Sequence, residues 1–99
     1  MKHEPTRRTC VLLEQDIAAP VRERLIRLFS TDVTLTGIGD LERIQFAAVK
    51  LALSGATGLA LAEHHWSRDV RDLLVSADFA HDLKAHERWY RETITALVI

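Results

Sequence analysis

Residues 40–53 read D-L-E-R-I-Q-F-A-A-V-K-L-A-L, and this stretch decides the fold of the chain. Wound as an α-helix at about 100° per residue, it presents one wide apolar face. That face is formed by Leu41, Ile44, Ala48, Leu51 and Ala52. Phe46 and Leu53 lie on the far side of the same helix. A helix with apolar residues on two sides must be covered twice, so we predict a central helix enclosed by other segments or by a second copy of the chain.

The composition is that of one ordinary globular domain. The chain has 99 residues, of which 47% are hydrophobic and 27% are charged, and this balance excludes an intrinsically disordered chain. Its length suits one domain with a modest core. We predict an all-α fold, a compact bundle of about five helices around helix 40–53. Residues 1–9 are predicted to be a mobile polar leader and residues 10–99 a single helical domain.

Charge and hydropathy limit the partners and the compartment. A formal net charge of -1 provides no overall attraction to nucleic acid or to an anionic membrane. No apolar run reaches the roughly 18 to 20 residues of a membrane span, and residues 1–20 lack the order of a secretion signal. Cys10 is the single cysteine, which excludes an internal disulfide and fits a reducing compartment. We therefore predict a cytoplasmic protein with no membrane partner.

The segment before the central helix is a second amphipathic helix, at residues 20–29. Its apolar residues share one face, and Pro20 suits a first turn, so the helix is predicted to begin near residues 18–20, with Asp16 as an alternative cap. Its three arginines on the wet side are interpreted as a solvated face, with a phosphate-binding patch as the alternative. Residues 30–39 are predicted to form an extended loop, with backbone freedom supplied by Gly37 and Gly39.

The segment after the central helix carries an unbroken apolar stripe as far as Ala77. Gly55 is suited to ending the central helix, and Thr57 to capping the next. Ser67 followed by Arg68 and Asp69 has the pattern of an N-cap and an acidic first turn, which can restart a helix at a new angle. We therefore predict two helices, 57–66 and 68–76. The last helix is predicted to begin at Asp78, and its apolar stripe runs from Phe79 to residue 97.

Residues 71–89 read R-D-L-L-V-S-A-D-F-A-H-D-L-K-A-H-E-R-W. This segment resembles one in small uncharacterised bacterial helical proteins that carry a string like D-W-R-D-L-L-V-A-A-G-F. Val70 stands where that string has Trp, and Asp78 where it has Gly. The resemblance implies a bacterial origin, but it implies no activity and transfers no site residues.

His86 is the strongest candidate for chemistry. It lies in the apolar stripe of the last helix with Asp82 one turn earlier, where a carboxylate would hold the imidazole ring in one tautomer. A general base or a metal ligand requires that orientation. A buried structural histidine requires it too, because its N–H needs an acceptor. We favour the structural interpretation and retain His86 and Asp82 as a candidate polar site.

The remaining histidines form no recognisable metal motif. His64 and His65 are neighbours on one helix and point about 100° apart, and the spacing of His81 and His86 also separates their rings. No catalytic serine motif or cofactor-binding string is present. We therefore predict no catalytic residue, no metal ligand and no cofactor.

Several apolar side chains are candidates for a subunit interface, among them the apolar end of the chain. They are Phe46, Leu53, Trp66, Trp89, Leu97 and Ile99. The leading hypothesis is a small, non-catalytic, self-associating interaction module, most simply a homodimer, with an unknown protein partner as a further possibility.

Two other functions stay open at this point. One is an enzyme or metal-binding protein with a site around His86 and Asp82. The other is a helix-turn-helix DNA binder with Arg68 and Arg71 at its reading helix. Asp69 and Asp72 lie among those arginines and would repel phosphate, which counts against this function.

Overall fold

This computed structural model describes residues 4–15, 17–31 and 41–98, and within those residues all the regular secondary structure is α-helix. The helices are α1 (Arg7–Glu14), α2 (Ala19–Phe29), α3 (Leu41–Leu53), α4 (Ala56–Arg68), α5 (Val70–Ser76) and α6 (Ala85–Val98). They pack into a body of 37 × 29 × 25 Å. The predicted all-α class is confirmed, with six helices in these ranges where about five were expected.

Helix α3 contacts each of the other five helices. Its residues 43–49 are all buried, including the polar side chains of Arg43 and Gln45. Phe46 has no exposed surface, because α1 and α6 cover it within the same chain. Leu53, by contrast, is 47% exposed. The two-sided central helix is therefore covered at Phe46 without a second copy.

Helix α1 begins inside the segment that was predicted to be a mobile leader. The Thr6 side chain accepts a hydrogen bond from the Thr9 backbone nitrogen and caps the helix, so Arg7 to Thr9 form its first turn. Thr9, Leu12 and Leu13 are buried. Burial of this apolar face explains why a short helix forms where the residue types suggested a polar tail.

Helix α2 begins where its proline predicts. Pro20 lies in the first turn after Ala18, and Leu25 and Phe29 are completely buried. The alternative cap Asp16 and most of the predicted loop, including Gly37 and Gly39, lie outside the residues that the structure describes.

Helices α4 and α5 are separate, as predicted, and the break lies at Asp69. This residue has an extended backbone, and its side chain accepts a hydrogen bond from the Arg71 backbone nitrogen at 3.0 Å. Ser67, the predicted cap, lies inside α4 and donates to the His64 carbonyl oxygen at 3.0 Å. At the other end of α4, the N-cap is Gly55, with a φ of 128°, instead of Thr57.

A glycine-like turn at Asp78 ends α5. Asp78 has a φ of 65°, the Phe79 nitrogen donates to the Leu74 carbonyl at 2.8 Å, and the Asp78 nitrogen donates to the Val75 carbonyl at 3.1 Å. This pair of hydrogen bonds is the Schellman motif. Asp78 thus occupies the left-handed position that favours Gly.

Two cations from α3 hold this turn in place. Lys50 Nζ donates to the Ala77 carbonyl oxygen at 2.7 Å and lies 4.9 Å from the centre of the Phe79 ring. The Arg43 guanidinium donates to the Phe79 carbonyl oxygen. The last carbonyls after α5 are therefore satisfied by side chains of the central helix. Helix α6 then starts at Ala85, seven residues later than the predicted start at Asp78.

Candidate functional site

His86, in the first turn of α6, is buried in the core against Phe46 of α3. Only 3% of its surface is exposed, and its ring centre lies 5.8 Å from that of Phe46 and 6.3 Å from that of Phe79. The apolar stripe of the last helix correctly indicated that this side chain points inward. Aromatic packing on His86 is typical of a core residue.

Asp82 does not stand one helical turn before His86, because α6 begins only at Ala85. Its carboxylate accepts the Lys84 backbone N–H at 2.8 Å and pairs with the Arg88 guanidinium. The hydrogen bond from Arg88, then that from Lys84, lower the pKa of the Asp82 carboxyl. The predicted helical spacing of Asp82 and His86 is therefore not formed, since Asp82 lies in the turn before α6 and organises the start of that helix.

A polar cluster of Thr6, Arg8, Glu42 and Gln45 ties the start of α1 to α3. Arg8 Nε donates to Glu42 Oε1 at 2.9 Å, and the Thr6 hydroxyl donates to Glu42 Oε2 at 2.7 Å. The Thr6 backbone nitrogen donates to Gln45 Oε1 at 2.9 Å, and Gln45 Nε2 donates to the Glu4 carbonyl at 3.0 Å. Both oxygens of Glu42 thus accept hydrogen bonds from α1 and its cap.

The electrostatics of the polar cluster favour an ionised Glu42. Burial acts to raise the pKa of its carboxyl, but the hydrogen bonds from Arg8 and Thr6 and the charge of Arg8 hold that pKa below its usual value. His86 contributes in the same direction. Arg8 also lies 5.4 Å from the ring centre of Phe46 and 5.2 Å from that of Tyr90, within cation–π range.

Sequence reasoning missed Glu42 as a partner of α1. Glu42 is 34 residues from Arg8 and 36 from Thr6 along the chain, so no local pattern connects them. Chemically, the polar cluster holds helices together, because its carboxylate is already engaged by a guanidinium and a hydroxyl.

The predicted interface residues fall into four groups. Phe46 and Trp66 are buried within the chain, and Trp66 packs on Phe29 with ring centres 5.3 Å apart. Trp89 is partly buried against the core, and Leu53 is exposed. The side chain of Leu97 and all of Ile99 lie outside the described residues. Burial of Phe46 and Trp66 excludes them from contact with another molecule in this conformation.

An uncharged surface lies at the corner between α3 and α4. Residues 51–62 contain no Asp, Glu, Lys or Arg, although 27% of the whole chain is charged. The exposed residues of this segment define the uncharged surface, which comprises Leu53, Ser54, Gly55, Ala56, Thr57, Ala60 and Leu61. Leu53 is 47% exposed and Leu61 41%. The sequence analysis named only Leu53 in this segment, although the absence of charged residues from 51–62 can be read directly from the sequence.

The arginines considered for nucleic acid are partly engaged with carboxylates. Arg71 pairs with Asp69 at 3.0 Å, and Arg24 of α2 pairs with Glu63 of α4. A groove of about 280 Å³ between α2 and α4 is lined in part by that second pair. Neutralised guanidiniums attract phosphate weakly, so this geometry provides little support for a DNA-binding surface.

Neither a metal centre nor a membrane span is formed by the described part of the chain. Within residues 4–15, 17–31 and 41–98, no three His, Cys, Asp or Glu side chains are grouped to hold a metal ion. None of the helices in those ranges is long and apolar enough to cross a bilayer. Cys10, a residue type that is usually buried, is exposed.

Comparison with known proteins identifies no relative. No family model, no curated protein and no solved structure matches this chain.

Proposed function

We propose that this chain is a non-catalytic helical interaction module that self-associates through the uncharged surface. The observation that carries this proposal is the exposure of Leu53 and Leu61 within a segment that has no charged residue. Protein interfaces are depleted of charged side chains at their centres. Two exposed leucines in an uncharged segment fit that composition, whereas a single exposed leucine among charged residues would not.

The support for assembly comes from Leu53 and Leu61, and not from Phe46. Phe46 was expected to need a second copy of the chain, but it is covered by α1 and α6 of its own chain. The exposed leucines of the uncharged segment are Leu53 at the end of α3 and Leu61 on the outer side of α4. We further propose that α3 is the organising helix of the bundle, on the basis of its contacts with all five others.

The burial of His86 favours a structural role over a catalytic one. A general base must reach the proton that it abstracts, and a ring with 3% exposure beneath Phe46 and Phe79 offers little access to substrate. The neighbouring carboxylate of Glu42 is engaged by Arg8 and Thr6. A bacterial, cytoplasmic setting is our proposal from the resemblance at residues 71–89 and the single cysteine.

Sedimentation equilibrium, from low micromolar to submillimolar protein, tests self-association. The average mass of the wild-type protein is expected to rise with concentration. Leu61→Arg places a charge in the uncharged surface and is expected to keep the protein monomeric. Leu83→Arg is the matched control, because Leu83 is 73% exposed but lies outside that surface, so this variant should associate like the wild type.

Two results would contradict the proposal. One is a wild-type protein that stays monomeric at every concentration, and the other is equal association of the two arginine variants. Circular dichroism of each variant establishes that the helical fold is retained before the masses are compared.

A further inference from the structure

Four side chains of α3 and α6 form a cleft around the guanidinium of Arg8. Glu42 and Phe46 lie one turn apart on α3, and Glu87 and Tyr90 lie one turn apart on α6, so each pair faces one side of its helix. The rings of Phe46 and Tyr90 are stacked, with centres 5.0 Å apart and planes 5° apart. We call these four residues the arginine cleft. It is built without any residue of α1.

The guanidinium of Arg8 contacts the arginine cleft through both its charge and its plane. Its Nε, at 2.9 Å, and its Nη2 both donate to Glu42 Oε1, and Nη2 lies 3.8 Å from Glu87 Oε1. The guanidinium carbon is 5.4 Å and 5.2 Å from the ring centres of Phe46 and Tyr90. A carboxylate attracts any cation, but a planar and weakly hydrated guanidinium suits aromatic faces and paired donors better than an ammonium does. The arginine cleft therefore has the chemistry of a guanidinium receptor.

An ordinary interhelical ion pair lacks the aromatic part of this arrangement. Arg24 of α2 pairs with Glu63 of α4 through the same two donor atoms, Nε and Nη2. Within residues 4–15, 17–31 and 41–98, however, Arg24 has no aromatic ring within cation–π distance. The two rings thus distinguish the arginine cleft from a surface ion pair.

Arg8 lies at the end of α1 that opens more easily. It is the second residue of a helix of eight residues, and its side chain is 40% exposed. The apolar anchors Leu12 and Leu13 are buried in the second half of that helix. Helix ends open locally at lower free energy than the whole fold, so the first turn can lift while these anchors stay packed. Lifting exposes Thr9 and gives up the hydrogen bonds of Thr6, which water can replace.

We propose that the arginine cleft is a binding site for an arginine side chain of a partner protein, and that Arg8 occupies it as an internal competitor. The partner binds when the first turn of α1 lifts, so its affinity is reduced by the fraction of time for which the turn is open. The contact of Arg8 with α3 and α6 is therefore autoinhibitory. This inference goes beyond self-association and uses no residue of the uncharged surface, so either can fail without the other.

NMR titration with arginine blocked at both ends, as N-acetyl-arginine N-methylamide, tests the site. Arg8→Ala vacates the arginine cleft and is expected to bind this probe at least about fivefold more tightly than the wild type does. The equivalent blocked lysine should bind Arg8→Ala at least about fivefold more weakly than blocked arginine. Adding Glu42→Gln to Arg8→Ala should weaken binding of blocked arginine by a similar factor, because the charged acceptor is lost.

Two further variants control this comparison. Arg24→Ala removes an arginine from a pair without aromatic rings, and it should bind the probe no more tightly than the wild type. Arg8→Gln vacates the arginine cleft but keeps a hydrogen-bond donor beside Glu42, and it replaces Arg8→Ala if circular dichroism shows that the alanine variant is unfolded. In the wild type, saturating probe should shift the signals of the arginine cleft together with the amide signals of residues 7–9.

Three results would overturn the proposal. The first is equal affinity of blocked arginine for the wild type and for the vacated variant. The second is equal affinity of blocked arginine and blocked lysine for the vacated variant. The third is a wild type in which no signal of the arginine cleft shifts at any probe concentration, since Arg8 would then never yield its place. None of these results bears on sedimentation of the wild type, which tests the proposed function separately.

Discussion

Gly58 of α4 lies directly against the backbone of Leu51 in α3. A Cβ atom placed on Gly58 would be 1.9 Å from the Leu51 carbonyl oxygen and 2.3 Å from Ser54 Oγ, far inside van der Waals contact. Only glycine permits the two helices to approach this closely after so short a connection. The contact fixes the start of α4, and with it the direction in which Ala60 and Leu61 face.

Gly58→Ala is therefore expected to destabilise the protein by about 2 to 3 kcal/mol, as overpacking against backbone does. In an open helix the same substitution would stabilise by about 1 kcal/mol, so the sign of the effect is diagnostic. Urea unfolding followed by circular dichroism measures it. A Gly58→Ala variant as stable as the wild type would show that α3 and α4 are less closely packed.

Asp78→Gly should stabilise the protein by about 0.5 to 1 kcal/mol. Asp78 has a φ of 65°, a left-handed conformation that costs a non-glycine residue about 1 to 2 kcal/mol, offset in part by the greater flexibility of glycine in the unfolded chain. The exposed contact of Asp78 with His81 that would be lost contributes little. Asp78→Ala is the matched control and should be less stable than Asp78→Gly in thermal unfolding.

Glu42→Gln is expected to cost about 1 to 2 kcal/mol at neutral pH, because it removes the charge from the hydrogen bonds with Arg8 and Thr6. Since folding lowers the pKa of the Glu42 carboxyl, its ionised form stabilises the fold above the ordinary value of 4.5. That contribution is lost as the pH falls through the lowered folded-state pKa. The difference in unfolding free energy between variant and wild type should therefore shrink below about pH 4.5.

Glu63→Gln is the control for Glu42→Gln. Glu63 also pairs with an arginine, but Arg24 and Glu63 have side chains that are 47% and 34% exposed, against 40% and 18% for Arg8 and Glu42. Solvent screening weakens an exposed pair, so the loss should be much smaller. Equal losses for the two variants would mean that the polar cluster contributes no more than a surface ion pair.

His86→Ala should destabilise the protein by about 2 to 3 kcal/mol, because it leaves a cavity beside Phe46 and Phe79. His81→Ala, whose side chain is 75% exposed, should change stability by less than about 0.5 kcal/mol. Guanidinium unfolding of both variants compares the two positions. A His86→Ala variant with wild-type stability would contradict the structural role of His86.

Local pattern predicted the helices whose ends are set by nearby residues. Pro20 marked the first turn of α2, and the polar string that includes Asp69 marked the break between α4 and α5. The start of α6 was placed too early, because the apolar stripe that begins at Phe79 includes residues 79–84, which lie before the helix. Asp78, Arg43 and Lys50 hold that turn, and two of these three lie on a distant helix.

The sequence by itself determined the all-α class, the burial of α3 and the inward direction of His86, because helical periodicity is a property of neighbouring residues. Only the tertiary structure decided what covers Phe46 and which cation binds Glu42. It also decided that Leu53 and Leu61 stay exposed, since the contacts that bury other apolar side chains join residues far apart along the chain whose pairing leaves no periodic trace. Many apolar and charged side chains of similar type could pair with each other, and the packing of the helices determines which of them come into contact.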